Sequence, residues 1–150
     1  MGLLAIPLLA LLTLIAALAS NSEHNTLDAQ QHQEAMAAGG ILRIYAGAVA
    51  RFAHANPGFS GAASHGALSL PAWFTPLPGT NNLVIGGKAY VYVIPNSATP
   101  DLYLMFPPEE VGLPYQLGIA RSGQLHPPSA AAAIGVLPTS IPEGAIVYIR

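Results

Sequence analysis

Ala35-Met36-Ala37-Ala38-Gly39-Gly40-Ile41-Leu42-Arg43-Ile44-Tyr45-Ala46-Gly47-Ala48-Val49-Ala50-Arg51-Phe52 is the stretch whose spacing decides the architecture. Ala35, Ala38, Leu42, Tyr45, Val49 and Phe52 recur at intervals of three and four residues, which puts them on one stripe of an α-helix. Such a stripe must be covered, so Tyr45 and Phe52 are expected to be buried against a sheet. Thr26 or Asn25 is placed to cap the start of this helix, with Asp28 at its positive end. Gly39-Gly40 costs about 1 kcal/mol per glycine relative to alanine, which predicts a bend or a close helix contact there. Asn56-Pro57-Gly58 ends the helix.

Towards the N-terminus, Gly2 to Ala19 carries no charge and is apolar on every helical face. As a helix it would span roughly 27 Å, close to the hydrocarbon thickness of a bilayer. Residues 1–20 are therefore expected to be a transmembrane anchor or an uncleaved signal, joined by a polar neck, 21–26, to a body at 27–150. Ala17-Leu18-Ala19 before Ser20 would suit a cleavage site, yet no Lys or Arg precedes the apolar run as a signal peptide requires. The first basic side chain is Arg43, so no basic flank holds the body in the cytoplasm. The expected location is the bacterial inner membrane, single-pass, with the C-terminal body in the periplasm.

Thirteen of the fourteen prolines fall from Pro57 onward, which breaks the remainder into short pieces. Lys88 to Ile94 alternates as a strand, with Tyr90 and Tyr92 on one face and Val91 and Val93 on the other. Asn82 to Ile85 is its hairpin partner across Gly86-Gly87. Leu102 to Phe106, Tyr115 to Arg121 and Ala145 to Ile149 are further expected strands, with Ser122-Gly123 as a turn. Ser129 to Ile134 is expected to form one helical turn. The fold class is α+β: an N-terminal transmembrane helix, then an amphipathic helix packed on a small, mainly antiparallel sheet.

The 150 residues suit one domain, and 52% are apolar while only 8% are charged, against a usual charged share of about 25%. A net charge of −2 with five Lys plus Arg cannot neutralise a phosphate backbone, which argues against nucleic acid as a partner. The chain has no cysteine, excluding disulfides, thiolate metal sites and a cysteine nucleophile. His24, His32, His54, His65 and His126 do not fall in a register that puts two imidazoles on one metal. Glu109 and Glu110 are adjacent, and in an extended segment they point to opposite sides. Ser60, Ser64 and Ser69 lack the elbow of a serine hydrolase, and no glycine cluster forms a phosphate loop. No catalytic residue, cofactor, metal site or small-molecule substrate is expected. Leu70, Trp73 and Phe74 stand out in a proline-rich stretch. The pair of rings reads as a core anchor fixing an irregular loop, with an exposed partner-contact patch as the alternative.

Tyr45 with Phe52, Ala55-Asn56-Pro57-Gly58-Phe59-Ser60-Gly61, Leu68-Ser69-Leu70-Pro71-Ala72-Trp73-Phe74 and Gly86-Gly87-Lys88-Ala89-Tyr90-Val91-Tyr92 together resemble the PilM family of small proteins from thin, conjugative type IV pilus operons. The resemblance covers roughly residues 1–94. It implies a non-enzymatic, inner-membrane-anchored component required for pilus biogenesis, with pilus assembly proteins or pilins as partners. The cytoplasmic, actin-like ATPase that shares the PilM name is a different protein, far longer and bearing nucleotide motifs. A minor pilin or pseudopilin is the near alternative, but no basic leader precedes the apolar run and no Glu falls within Gly2 to Ala19. A small secreted hydrolase or ligand-binding protein is the third reading.

Overall fold

In the computed structural model, residues 5–97, 99–106, 116–128 and 132–150 are described, with backbone alone for residues 5–26 and Tyr103. Two compact units are distinguished, Met1–Glu34 and Ala35–Arg150. The described residues of the first are helical, and on them Gln30 Nε2 donates to Glu34 Oε1 at 2.9 Å, one turn on. Helix α1 is assigned over Ala5–Ala55. The start expected at Thr26 is thus not observed, and the neck at 21–26 is helical. No proline or glycine occurs between Pro7 and Gly39, and an Asn, Ser or Thr costs a helix no more than about 0.7 kcal/mol. The apolar run Gly2 to Ala19 lies outside the residues whose side chains are described. Among the described residues no helix is long and apolar enough to cross a membrane.

The second unit packs the C-terminal part of α1 on a five-stranded antiparallel sheet of β1 (Thr80–Ile85), β2 (Lys88–Val93), β3 (Gln116–Arg121), β4 (Gln124–His126) and β5 (Ile146–Ile149). Their order is β1-β2-β5-β3-β4. The expected strands at 88–94, 115–121 and 145–149 are present within a residue of their expected ends. The β1–β2 hairpin turns on Gly86 and Gly87, at φ 57° and 76°, which only glycine adopts without strain. The β3–β4 hairpin turns on Ser122 and Gly123. Ser122 is held at φ 51°, and its N–H donates to both carboxylate oxygens of Glu143 at 2.8 and 2.9 Å.

The sheet is buried on both faces. Ala89, Val91, Val93, Leu117, Ile146 and Tyr148 join Ala35, Ala38, Leu42, Tyr45 and Val49 of α1 in the larger core. Tyr90 and Tyr92, on the opposite face as their alternation requires, pack against Leu125, Leu137, Ile141 and Val147. Tyr45 is buried as expected, whereas Phe52 is half-buried and meets Phe59 edge-on at 5.0 Å. α1 ends at Ala55, where Asn56 returns both its backbone N–H and its Nδ2 to the Phe52 carbonyl.

Two local expectations are corrected. Leu102 to Phe106 is not a strand but the short helix α2 (Leu102–Met105), because its apolar residues follow period 3.6: Leu102, Met105 and Phe106 are the buried ones. Of the helical turn expected at Ser129 to Ile134, residues 129–131 lie outside the described residues, and Ala132 onward is not helical. There the chain runs beside β4, with Ile134 N–H donating to Leu125 O and Leu125 N–H to Gly135 O, both at 3.0 Å.

Gly39 explains the glycine pair in α1. A Cβ at Gly39 would run into the backbone carbonyl oxygen of Met105, at the end of α2, while one at Gly40 would meet nothing within 4 Å. Gly39→Ala is therefore expected to destabilise the domain by about 1 to 3 kcal/mol, and Gly40→Ala to stabilise it by about 0.5 to 1 kcal/mol. Thermal melts of the two variants give opposite shifts; shifts of the same sign would refute the close approach.

Asn82, only 7% exposed, is the one buried polar residue among the described residues. Its Oδ1 accepts from Ala63 N–H at 2.7 Å, and its Nδ2 donates to Ala63 O at 2.9 Å and to Tyr45 Oη at 2.8 Å. It thereby ties helix, loop and sheet together with its side-chain amide satisfied. Asn82→Ala leaves those groups unpaired and is expected to cost about 2 kcal/mol or more. In a double-mutant cycle with Tyr45→Phe the two losses should fall short of additivity by about 0.5 kcal/mol or more; strict additivity would show that the contact does not couple them.

Candidate partner-contact site

The segment between α1 and β1 is irregular because prolines at 57, 71, 76 and 78 exclude regular hydrogen bonding. It is nonetheless pinned at several points. Gly61 exchanges backbone hydrogen bonds with Val84 at 2.8 and 2.9 Å, and Ala63 is held by Asn82. A single 3-10 turn follows at His65–Ala67, and Leu68 is buried beyond it. Phe74 N–H then closes a turn onto Pro71 O at 2.9 Å.

This turn divides the three residues singled out from the sequence. Phe74 points inward and is buried, stacking on Tyr45 at 6.0 Å with the rings 6° from parallel. His65 lies against both rings, 6.5 Å from Tyr45 and 6.4 Å from Phe74. Leu70 is half-buried against the same core. Trp73 points outward and is 71% exposed, its ring tilted against that of Phe74 with centroids 6.3 Å apart. Phe74 is therefore the anchor, and the core role expected for Trp73 does not hold. Adjacent residues in a tight turn cannot both face the core, and Phe carries no polar atom to satisfy there.

His32 and His54 are exposed, His126 sits in β4, and His24 lies outside the residues whose side chains are described. Glu109 and Glu110 also lie outside the described residues. Among the described residues no three His, Asp or Glu side chains gather as a metal site would require. Ser60, Ser64 and Ser69 are exposed on the loop. What the sequence left unmarked is the approach of Arg51 to Arg150 over Gly47, since no local spacing links the two arginines. The arrangement offers side chains for contact, an indole above all, on a backbone fixed by the core beneath.

The profile of the PilM family matches residues 9–149. Among solved structures, a protein assigned as PilM from Pseudomonas aeruginosa 2192 is 33% identical, with 77% of this chain and 92% of that one covered and a TM-score of 0.46. One assigned as PilM from Escherichia coli B7A is 18% identical, with 81% and 94% covered and a TM-score of 0.56, and shares the fold. Among curated proteins no relative matches. The profile match over nearly the whole chain shows that the chain belongs to the PilM family, with a role in pilus-related biogenesis.

Proposed function

We propose that the chain is a non-enzymatic, inner-membrane-anchored component of type IV pilus or conjugative thin-pilus assembly, with its body in the periplasm. The observation that carries this reading is Trp73: a large apolar side chain presented to solvent on a loop whose neighbours, Phe74 and Leu68, are sunk in the core. Exposed indoles on a rigid support are frequent anchors of protein contacts. The uncharged Gly2 to Ala19 run supports the anchor.

Deletion of the gene is expected to abolish or sharply reduce surface pili while the major pilin is still made and processed. In complementation, Trp73→Ala should keep the thermal midpoint and the protein level and lose piliation together with a co-purifying pilus component. Phe74→Ala should instead lose about 3 to 5 kcal/mol of stability and the protein level with it. Single alanine substitutions at His32, His54 and His126 should leave pili intact. Normal pili in the deletion strain, or loss of pili from one folded and abundant histidine variant, would overturn the scaffold reading.

Alkaline phosphatase fused after Arg150 is expected to be active and to sediment with membranes. A soluble product beginning at Ser20 would establish a cleaved signal in place of the anchor.

A further inference from the structure

Arg51 and Arg150 converge on the flank of α1. Arg150 continues the helix-facing row of β5 after Ile146 and Tyr148, and its backbone pairs with Ala89 of β2 through two hydrogen bonds of 2.9 Å. The row ends over Gly47, where the absence of a side chain leaves room. A Cβ built at Gly47 would lie 3.4 Å from Nη1 of Arg150 and 3.5 Å from Nη1 of Arg51. The two guanidinium nitrogens are therefore no more than about 7 Å apart. Neither arginine has an ion-pair partner among the described residues. Of the described carboxylates in this unit, Glu143 is engaged by Ser122, and Asp101 has an interaction of its own.

Both side chains are exposed, so in water two like charges at this separation repel only weakly, and the chain, with only five Lys and Arg, brings two of them together at one place. The negative end of α1 accounts for a cation in its last turns, such as Arg51. It does not account for Arg150, which arrives from the sheet. Two guanidinium groups that border one space are suited to a carboxylate or phosphate oxygen pair. The surroundings favour the carboxylate of a peptide. Arg51 stands between two clefts, one of about 310 Å³ bounded by Gly47, Ala50, His54 and Arg150, the other of about 350 Å³ bounded by Ala48, Phe52 and Ala67 together with the polar Asn56 and Ser69. A compact anion would fill only the first. An extended segment with an acidic side chain flanked by small residues fills both.

We propose that the Arg51–Arg150 pair over Gly47 is a docking site for an acidic peptide segment of a partner protein, one carboxylate bridging the two guanidinium groups while the neighbouring residues lie in the cleft beside Phe52. The site does not depend on the pilus reading, and its binding is measured apart from piliation. The test uses the full chain in neutral detergent micelles and two rhodamine-labelled heptapeptides, one alternating alanine with glutamate and the other alanine with glutamine. Fluorescence anisotropy should show saturable, salt-weakened binding of the glutamate peptide alone. Arg51→Gln and Arg150→Gln should each weaken it by about tenfold or more with the thermal midpoint unchanged. Gly47→Glu, which supplies a carboxylate from within, should abolish binding in a protein that remains folded. The proposal fails if folded wild-type protein does not bind the glutamate peptide, if the glutamine peptide binds equally, or if inorganic phosphate displaces the peptide at equal concentration, which would make this a small-anion site. It also fails if the chain self-associates through these charges, seen as a sedimentation shift lost in Arg51→Gln, since a second copy would then be the occupant.

Discussion

How near the backbone of α1 can come to the elements covering it decides the rest of the Ala35–Arg150 unit. Ala35, Ala38, Ala46, Ala48 and Ala53 are all buried on this helix, and Gly39 lets the end of α2 rest on it without an intervening side chain. Alanine contributes little apolar area, so such a helix would be held weakly by its own surface. Leu42 and Tyr45 add larger groups from the helix itself, and the opposing elements supply the rest: Met105 and Phe106 from α2 and its end, Tyr148 from β5 and Phe74 from the loop, all in the same core. Close packing of small against large is how protein interiors reach crystal-like density. It also fixes position, because each large side chain has one space to enter.

The same constraint separates what the sequence discloses from what it does not. The α1 stripe and the β1–β2 hairpin are legible because their signals are local: intervals of three and four, alternation over Lys88 to Val93, and two glycines at a turn that demands positive φ. Leu102 to Phe106 is too short for its period to declare itself, and only burial of Leu102, Met105 and Phe106 distinguishes helix from strand. Trp73 and Phe74 could not be told apart, since their division depends on a turn closed by Pro71 O. Asn82 and the Arg51–Arg150 pair are invisible for another reason. Their meaning lies in partners brought together by topology, Tyr45 from α1 in one case and β5 meeting α1 in the other.

The sheet also limits how partners can bind. Gly61 is bonded to Val84 on the outer side of β1, and residues 134–137 lie along the outer side of β4, bonded to Gly123 and Leu125. Each edge is thus met over part of its length by another stretch of chain, which hinders edge-to-edge association. Recognition is left to side chains on the covered scaffold, and the indole of Trp73 and the two guanidinium groups differ in chemistry as two separate contacts would.

The strand order has a consequence for how the molecule comes into being. β5 lies between β2 and β3, with both as antiparallel neighbours, yet it follows every other strand in the chain. The β1–β2 and β3–β4 hairpins can each close early, since their contacts are local. They share no edge until Ile146–Ile149 slides between them. During synthesis from the N-terminus, the chain must therefore wait with two apolar half-sheets and two inner edges uncovered. The interval before β5 arrives is when this protein is most open to aggregation and most in need of a chaperone, and its length is set by the rate at which the chain emerges.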